Sequence, residues 1–358
     1  MNKSRKITVI IASIASGFVV TYFGVSLIAT AIINHNYFEI RGSTPKELDD
    51  NSFFFLQKTQ KDFDNLQKRT YLSIPYEDMN LQGYLYHQEN PKGLIVSCHG
   101  INSLADSDHA QYQSYYFDKC YDVFSFDMVG CGNSDGDSMT GLYESRSCVD
   151  SAISFISNYE TTKDLPIFLI GHSWGGYGSV ASTFDSKNVK AVVSFGGFEQ
   201  AVEEMAGMAS NYVGGLVNFL KPGLDTSMAI YKGKKAFVNA SEAIKENPNV
   251  SYYIVQGKND NTVHYKDSLY HAVENKNYPN VTLKLLENHN HAGLWRSEEA
   301  VKYLKDIQKE YEKVAEKLDN EEFEILKDAF INKTDREKSS ELNTKLLDEI
   351  DEFFQKSL

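Results

Sequence analysis

Six short apolar runs occupy the middle of the chain: "GLIVSCHG" (93–100), "DVFSFDM" (122–128), "PIFLIGH" (166–172), "KAVVSFGG" (190–197), "VSYYIVQG" (250–257) and "VTLKLLEN" (281–288). Each is too short for a core helix and too continuously apolar for a half-exposed strand. They therefore read as strands buried on both faces. Most of the gaps carry helical spacing, as in "ESRSCVDSAISFISNY" (144–159). Strands alternating with helices require a mainly parallel sheet sandwiched between helices. Ahead of them, "RTYLSIPY" (69–76) and "NLQGYLYHQ" (80–88) alternate every second residue and read as a β-hairpin. The sum is an eight-stranded sheet. Several runs finish in Gly or His at their carboxyl ends, the edge at which open α/β sheets bind ligands.

The longest interruption, 198–247, contains "MAGMASNYVGGLVNFLKPG" and no strand pattern. It reads as a helical cap inserted over the active edge, with a plain long crossover as the alternative. Residues 297–318 form an amphipathic helical pattern that closes a domain over 70–318. An acidic tail, 319–358, follows, in which "SSELNTKLLDEIDEFFQ" is the clearest helix. The connector 34–69 is expected to hold one helix, with Thr44 as N-cap and Pro45 at the first helical position.

The first residues set the address. Ile7 to Ile33 is free of charge, and as a helix would reach roughly 40 Å, enough to cross a bilayer with some tilt. Lys3, Arg5 and Lys6 precede it and only Arg41 follows closely, which puts residues 1–6 in the cytoplasm and the remainder outside. A cleaved signal peptide is the competing reading, since Ala29-Thr30-Ala31 fits a cleavage site, but the apolar region exceeds the usual ~7–15 residues. A net charge of −13 argues against a nucleic-acid partner. No Walker loop, HExxH or Cys-x-x-Cys pattern occurs, and the spacing of Cys98, Cys120, Cys131 and Cys148 suggests free thiols more than a disulfide framework.

Chemistry concentrates at "LIGHSWGGYG" (169–178), where Ser173 stands between a strand and a helix in a G-x-S-x-G pattern. Such an elbow exposes a serine hydroxyl at the sheet edge, and Gly171 and Gly175 allow strand and helix to pass closely. A serine needs a base, and the base needs an orienting carboxylate, in the chain order Ser, Asp, His. Asp260 follows the strand "YYIVQG", and His289 and His291 follow "VTLKLLEN". From the residues alone either histidine serves as the base, and a metal set of Asp260 with both is the weaker reading. The backbone N–H groups of Trp174 and of Ile101 or Asn102, after His99-Gly100, are placed to hold an oxyanion.

Taken together, "HG" (99–100), "DMVGCGNSDG" (127–136), "GHSWGG" (171–176), "GKNDNTV" (257–263) and "NHAGLW" (290–295) resemble the α/β-hydrolase fold superfamily. Within it the chain resembles membrane-anchored hydrolases of low-GC Gram-positive bacteria. The resemblance spans about 70–318. It implies Ser173 as nucleophile, Asp260 as orienting acid and His291 as base, because "AGLW" follows His291. "NHNH" departs from the usual Gly-His and keeps His289 as an alternative. It further implies a structural Asp127, no cofactor or metal, and a small-molecule or lipid-like acyl substrate. Ester hydrolysis is the expected reaction, with a serine peptidase, an acyltransferase or a non-catalytic binding protein as rivals.

Overall fold

The two-residue alternation of the apolar runs divides the core in two. Along the sheet, Val96, Phe124, Leu169, Val192 and Ile254 point into one hydrophobic cluster, while their neighbours Ile95, Val123, Ile170, Val193 and Val255 point into another. Unbroken hydrophobicity is thus two interleaved faces, each covered by helices.

The computed structural model describes residues 3–37, 40–42, 56–101, 103–107, 109–139, 141–182, 189–315 and 320–358. A long helix, α1 (Lys3–Tyr37), opens the chain; its stretch Ile7–Ile32 is long and apolar enough to cross a membrane by length and composition. The sheet starts with β1 (Thr70–Tyr76), β2 (Met79–Tyr86) and β3 (Leu94–Cys98). Then α2 (Ala110–Asp118), β4 (Asp122–Phe126), α3 (Glu144–Ile156), β5 (Ile167–His172), α4 (Trp174–Ala181) and β6 (Val189–Phe195) alternate. Before β7 (Ser251–Gly257) come three helices, α5 (Ala201–Val213), α6 (Leu216–Tyr231) and α7 (Ala240–Glu246). The chain continues through α8 (Leu269–Glu274), β8 (Val281–Leu286), α9 (Glu298–Ala315), α10 (Asn320–Lys333), α11 (Arg336–Ser339) and α12 (Thr344–Lys356).

The strands pair in the order β1-β2-β4-β3-β5-β6-β7-β8. β1–β2 and β2–β4 are antiparallel; every pair from β4–β3 onward is parallel. The carboxyl ends of β3, β5, β6, β7 and β8 therefore lie along one edge.

Two expectations change. The expected connector helix from Thr44-Pro45 begins outside the described residues, and the part that is described holds two 3-10 turns, Gln60–Asp62 and Asp64–Leu66. The acidic segment 319–358 was expected as a tail beyond the domain. Instead α12 buries Leu346, Leu347, Ile350 and Phe354 among Tyr116, Tyr121, Phe168 and Ile95. Four such side chains, each worth about 1.5–3 kcal/mol when buried, make α12 part of the cover of one sheet face. By contrast α9, expected to close the domain at 318, joins Leu304, Ile307 and Tyr311 to Leu56 and Phe330 in a separate small cluster.

Candidate active site at the carboxyl edge of the sheet

Ser173 sits at the sharp junction of β5 and α4 with φ +53° and ψ −114°. That left-handed backbone is strained for a serine and needs support from its surroundings. The Ser173 N–H donates to Phe195 O at 2.8 Å, tying the junction to the end of β6. The glycines account for the rest of the geometry. A Cβ at Gly175 would run into Cys98 O and come within 2.6 Å of His99 O; one at Gly171 would run into Gly175 O and come within 2.6 Å of Ser179 Oγ. Neither distance is tolerable, so β3, β5 and α4 approach this closely only with glycine at both positions.

The loop after β3, where one oxyanion donor is expected, lies against the elbow. Gly100 lies beside the elbow, its Cβ position 3.4 Å from Ser173 Cβ. His99 is buried; its Nδ1 donates to Gly100 O at 2.8 Å and its Nε2 accepts from Met128 N at 2.9 Å. That pairing fixes the tautomer and pins the β3 loop to the β4 loop. Ile101 follows in the turn, and Trp174 opens α4, where helix N–H groups have no intrahelical partner. Asn102, the alternative donor, lies outside the described residues. Asp127 is buried and accepts from Tyr84 Oη at 2.9 Å, Ala105 N at 3.1 Å and Asn133 N at 3.0 Å, the bonding of a structural staple.

At the ends of β7 and β8 the structure brings Asp260 and His291 together. His291 Nδ1 lies 2.8 Å from Asp260 Oδ2; a carboxylate only accepts, so Nδ1 carries a proton, and in the neutral ring the lone pair is on Nε2. Asp260 is itself held by Thr262 N and Val263 N, both 2.9 Å from Oδ1, and by Gln256 Nε2, 3.0 Å from Oδ2. His289 does not reach this pair. It is buried, its Nε2 donating to Arg296 O at 2.9 Å, and it anchors the loop that carries His291. Trp295 secures the same loop from below, buried with Nε1 donating to Gln111 Oε1 at 3.2 Å. Among the described residues no hydrogen bond joins Ser173 to His291; the link between them runs through His172, whose Nε2 donates to His291 O at 3.0 Å.

His172 and Gln256 escape a reading of the sequence. His172 is buried, its ring 4.9 Å from that of His291. Burial, reinforced by His291 and His109, holds it well below the usual imidazole range, so it stays neutral. Its position directly before Ser173 is the one signal in the sequence; Gln256 carries none. Among the described residues no group of His, Cys, Asp or Glu is placed to hold a metal ion.

Residues 89–247 match the family described as Serine aminopeptidase, S33. No curated protein matches the chain. Among solved structures, an esterase of Pyrococcus furiosus is 18% identical with a TM-score of 0.49, over 69% of this chain and 88% of that one. The Est1E protein of Butyrivibrio proteoclasticus, solved with ferulic acid bound, is 17% identical with a TM-score of 0.47, over 67% and 98%. The acylaminoacyl peptidase of Pyrococcus horikoshii is 15% identical with a TM-score of 0.47, over 63% and 37%. The strand order, the elbow at Ser173 and the family match over β3 to β6 define an α/β-hydrolase fold.

Proposed function

We propose that the chain is a membrane-anchored serine hydrolase that cleaves acyl esters outside the cytoplasm. Ser173 attacks the acyl carbonyl while His291 Nε2 accepts its proton, and Asp260 stabilises the imidazolium that forms. The N–H groups of Trp174 and Ile101 hold the oxyanion, aided by the positive end of α4. His291 returns the proton to the leaving alcohol, then activates the water that releases the acyl group from Ser173. Residues 198–247 act as a cap over this edge, α1 anchors the enzyme, and the substrate is a lipid-like or small acyl ester.

The observation that carries this reading is the strained Ser173 between β5 and α4, with a bonded Asp260–His291 pair at the ends of the two outermost parallel strands. A fluorophosphonate probe tests it: the wild type should be labelled, and peptide mapping should place the adduct on Ser173. A folded wild type that takes no label contradicts the proposal.

One observation favours a peptidase as the second reading. Glu204, on α5, is only 4% exposed, and burial together with Asp267 and Asp260 pushes its carboxyl up to about 8. Such a group would ionise on meeting a substrate's free amine, and the matched family is described as aminopeptidases. Aminoacyl arylamides turned over faster than acyl esters, with Glu204→Gln raising KM for the amide alone, would favour that reading.

A further inference from the structure

α1 packs against α6, and the residues in contact repeat every fourth position on both helices. Tyr22 Oη donates to Phe219 O, and the two rings meet edge to face with centroids 4.8 Å apart. Four residues on, a Cβ at Gly223 would collide with the side chain of Ser26. Four further, Thr30 and Ser227 are both buried. Both series ascend together, so the helices run parallel, with Tyr22 and Ser26 on one facing Phe219 and Gly223 on the other, and the buried Thr30 and Ser227 continue the two series. Small residues at four-residue spacing on both partners let the two backbones approach closely.

This register gives α6 a depth. Counting roughly 20 residues for the hydrocarbon core from Ile7 places its outer boundary near Ser26. Phe219 then stands level with Tyr22, and Leu216 lies deeper, both below that boundary. They are the large apolar side chains that the first turn of α6 leaves bare, 54% exposed for Leu216 and 60% for Phe219. Lys221 sits two residues above Phe219 and just short of the boundary, paired with Glu203 at 2.8 Å and Asp225 at 3.0 Å. Apolar groups below the boundary and charges at it are the profile of an interfacial element.

We propose that the Gly214–Gly215 turn and the first turn of α6 are immersed in the outer leaflet, held there by the α1–α6 contact, with Leu216 and Phe219 against acyl chains. The proposal rests on reading α1 as a spanning helix and is independent of the catalytic assignment. It follows that α1 is retained in the mature protein, since cleavage after Ala31 would strip α6 of its partner. The cap of the enzyme and its anchor are one structural unit, and the cap meets its substrates at the lipid surface.

Spin labels on the full-length chain in phosphatidylcholine–phosphatidylglycerol vesicles test this. The background is Cys120→Ser, because Cys120 is exposed whereas Cys98, Cys131 and Cys148 are buried. Nitroxides are attached at Leu216→Cys, Asn218→Cys, Ile14→Cys and Glu160→Cys, the last at the far edge of the sheet. Accessibility to oxygen is compared with accessibility to a water-soluble nickel chelate. The oxygen-to-nickel ratio at 216 and 218 should exceed that at 160 by about tenfold and approach that at 14. A ratio at 216 and 218 equal to that at 160, with 14 still lipid-exposed, overturns the proposal while leaving the anchor in place. If 14 also behaves like 160, both the spanning reading and this proposal fall.

Discussion

Close approach through small residues is used twice in this molecule, for opposite ends. At the elbow, Gly171 and Gly175 let β3, β5 and α4 approach closely, and the result is a strained serine held beside the loop after β3. Along α1 and α6, Ser26 and Gly223 let two helices touch, and the first turn of α6 leaves Leu216 and much of Phe219 bare. In the proposed reading, the first arrangement places reacting groups and the second places the protein relative to the bilayer. The same sequence signal, small residues at short spacing, therefore says that backbones meet without saying what the meeting is for. The surrounding residues decide that: polar groups on strand ends in one case, an uncharged helix in the other.

The comparison breaks or sharpens under substitution. The largest effect belongs to the elbow: Ser173→Ala should abolish fluorophosphonate labelling and reduce ester turnover by about 10⁴-fold or more, measured as kcat on a short-chain ester. Asp260→Asn keeps the shape but lets His291 adopt the wrong tautomer, and should cost about 10³–10⁴-fold in kcat with little change in melting temperature. Gly175→Ala acts on the same region through packing alone. Its Cβ meets backbone atoms that cannot step aside, so unfolding in urea should show a loss of about 3 kcal/mol.

At the second region, Gly223→Leu should separate α6 from α1, and amide exchange in α6 should quicken by about tenfold while that of β5 stays unchanged. An equal change in both would mean the helix pair is no separate unit. The smallest effect is expected at Glu204. Its carboxyl rises from an ordinary 4.5 to about 8, so between those values the folded state keeps a proton that the unfolded chain has lost. Stability from this group is therefore present below about pH 4.5 and lost as the pH climbs toward 8. Glu204→Gln should remove that loss, raising the melting temperature relative to wild type by about 2 °C or more at pH 9 and by much less at pH 5.

Much of this was legible in the sequence because the relevant signals are local. Continuous apolar runs with helical gaps mark parallel strands, and glycines flanking Ser173 mark a tight strand-to-helix turn. Asp260 and His291 were marked by lying just after apolar runs. What escaped depends on partners distant in the chain. The stripe of Leu346, Leu347, Ile350 and Phe354 announces an amphipathic helix, but nothing in it says that its other half is the sheet face around Phe168. His289 and His291 are two residues apart and chemically identical; only the loop's anchoring by Arg296 and Trp295 turns one inward and the other to Asp260. Likewise Gly223 gives no hint of Ser26, because a small residue records that a neighbour is close and not which neighbour it is.

In the proposed mechanism His291, oriented by Asp260, activates Ser173. The most direct test is the second-order rate of fluorophosphonate labelling in His291→Ala and His289→Gln, the latter keeping a donor toward Arg296 O. The account predicts a fall of about 10³-fold or more for His291→Ala and a change within about tenfold for His289→Gln. Near-normal labelling of His291→Ala, or the large fall appearing in His289→Gln instead, would contradict it.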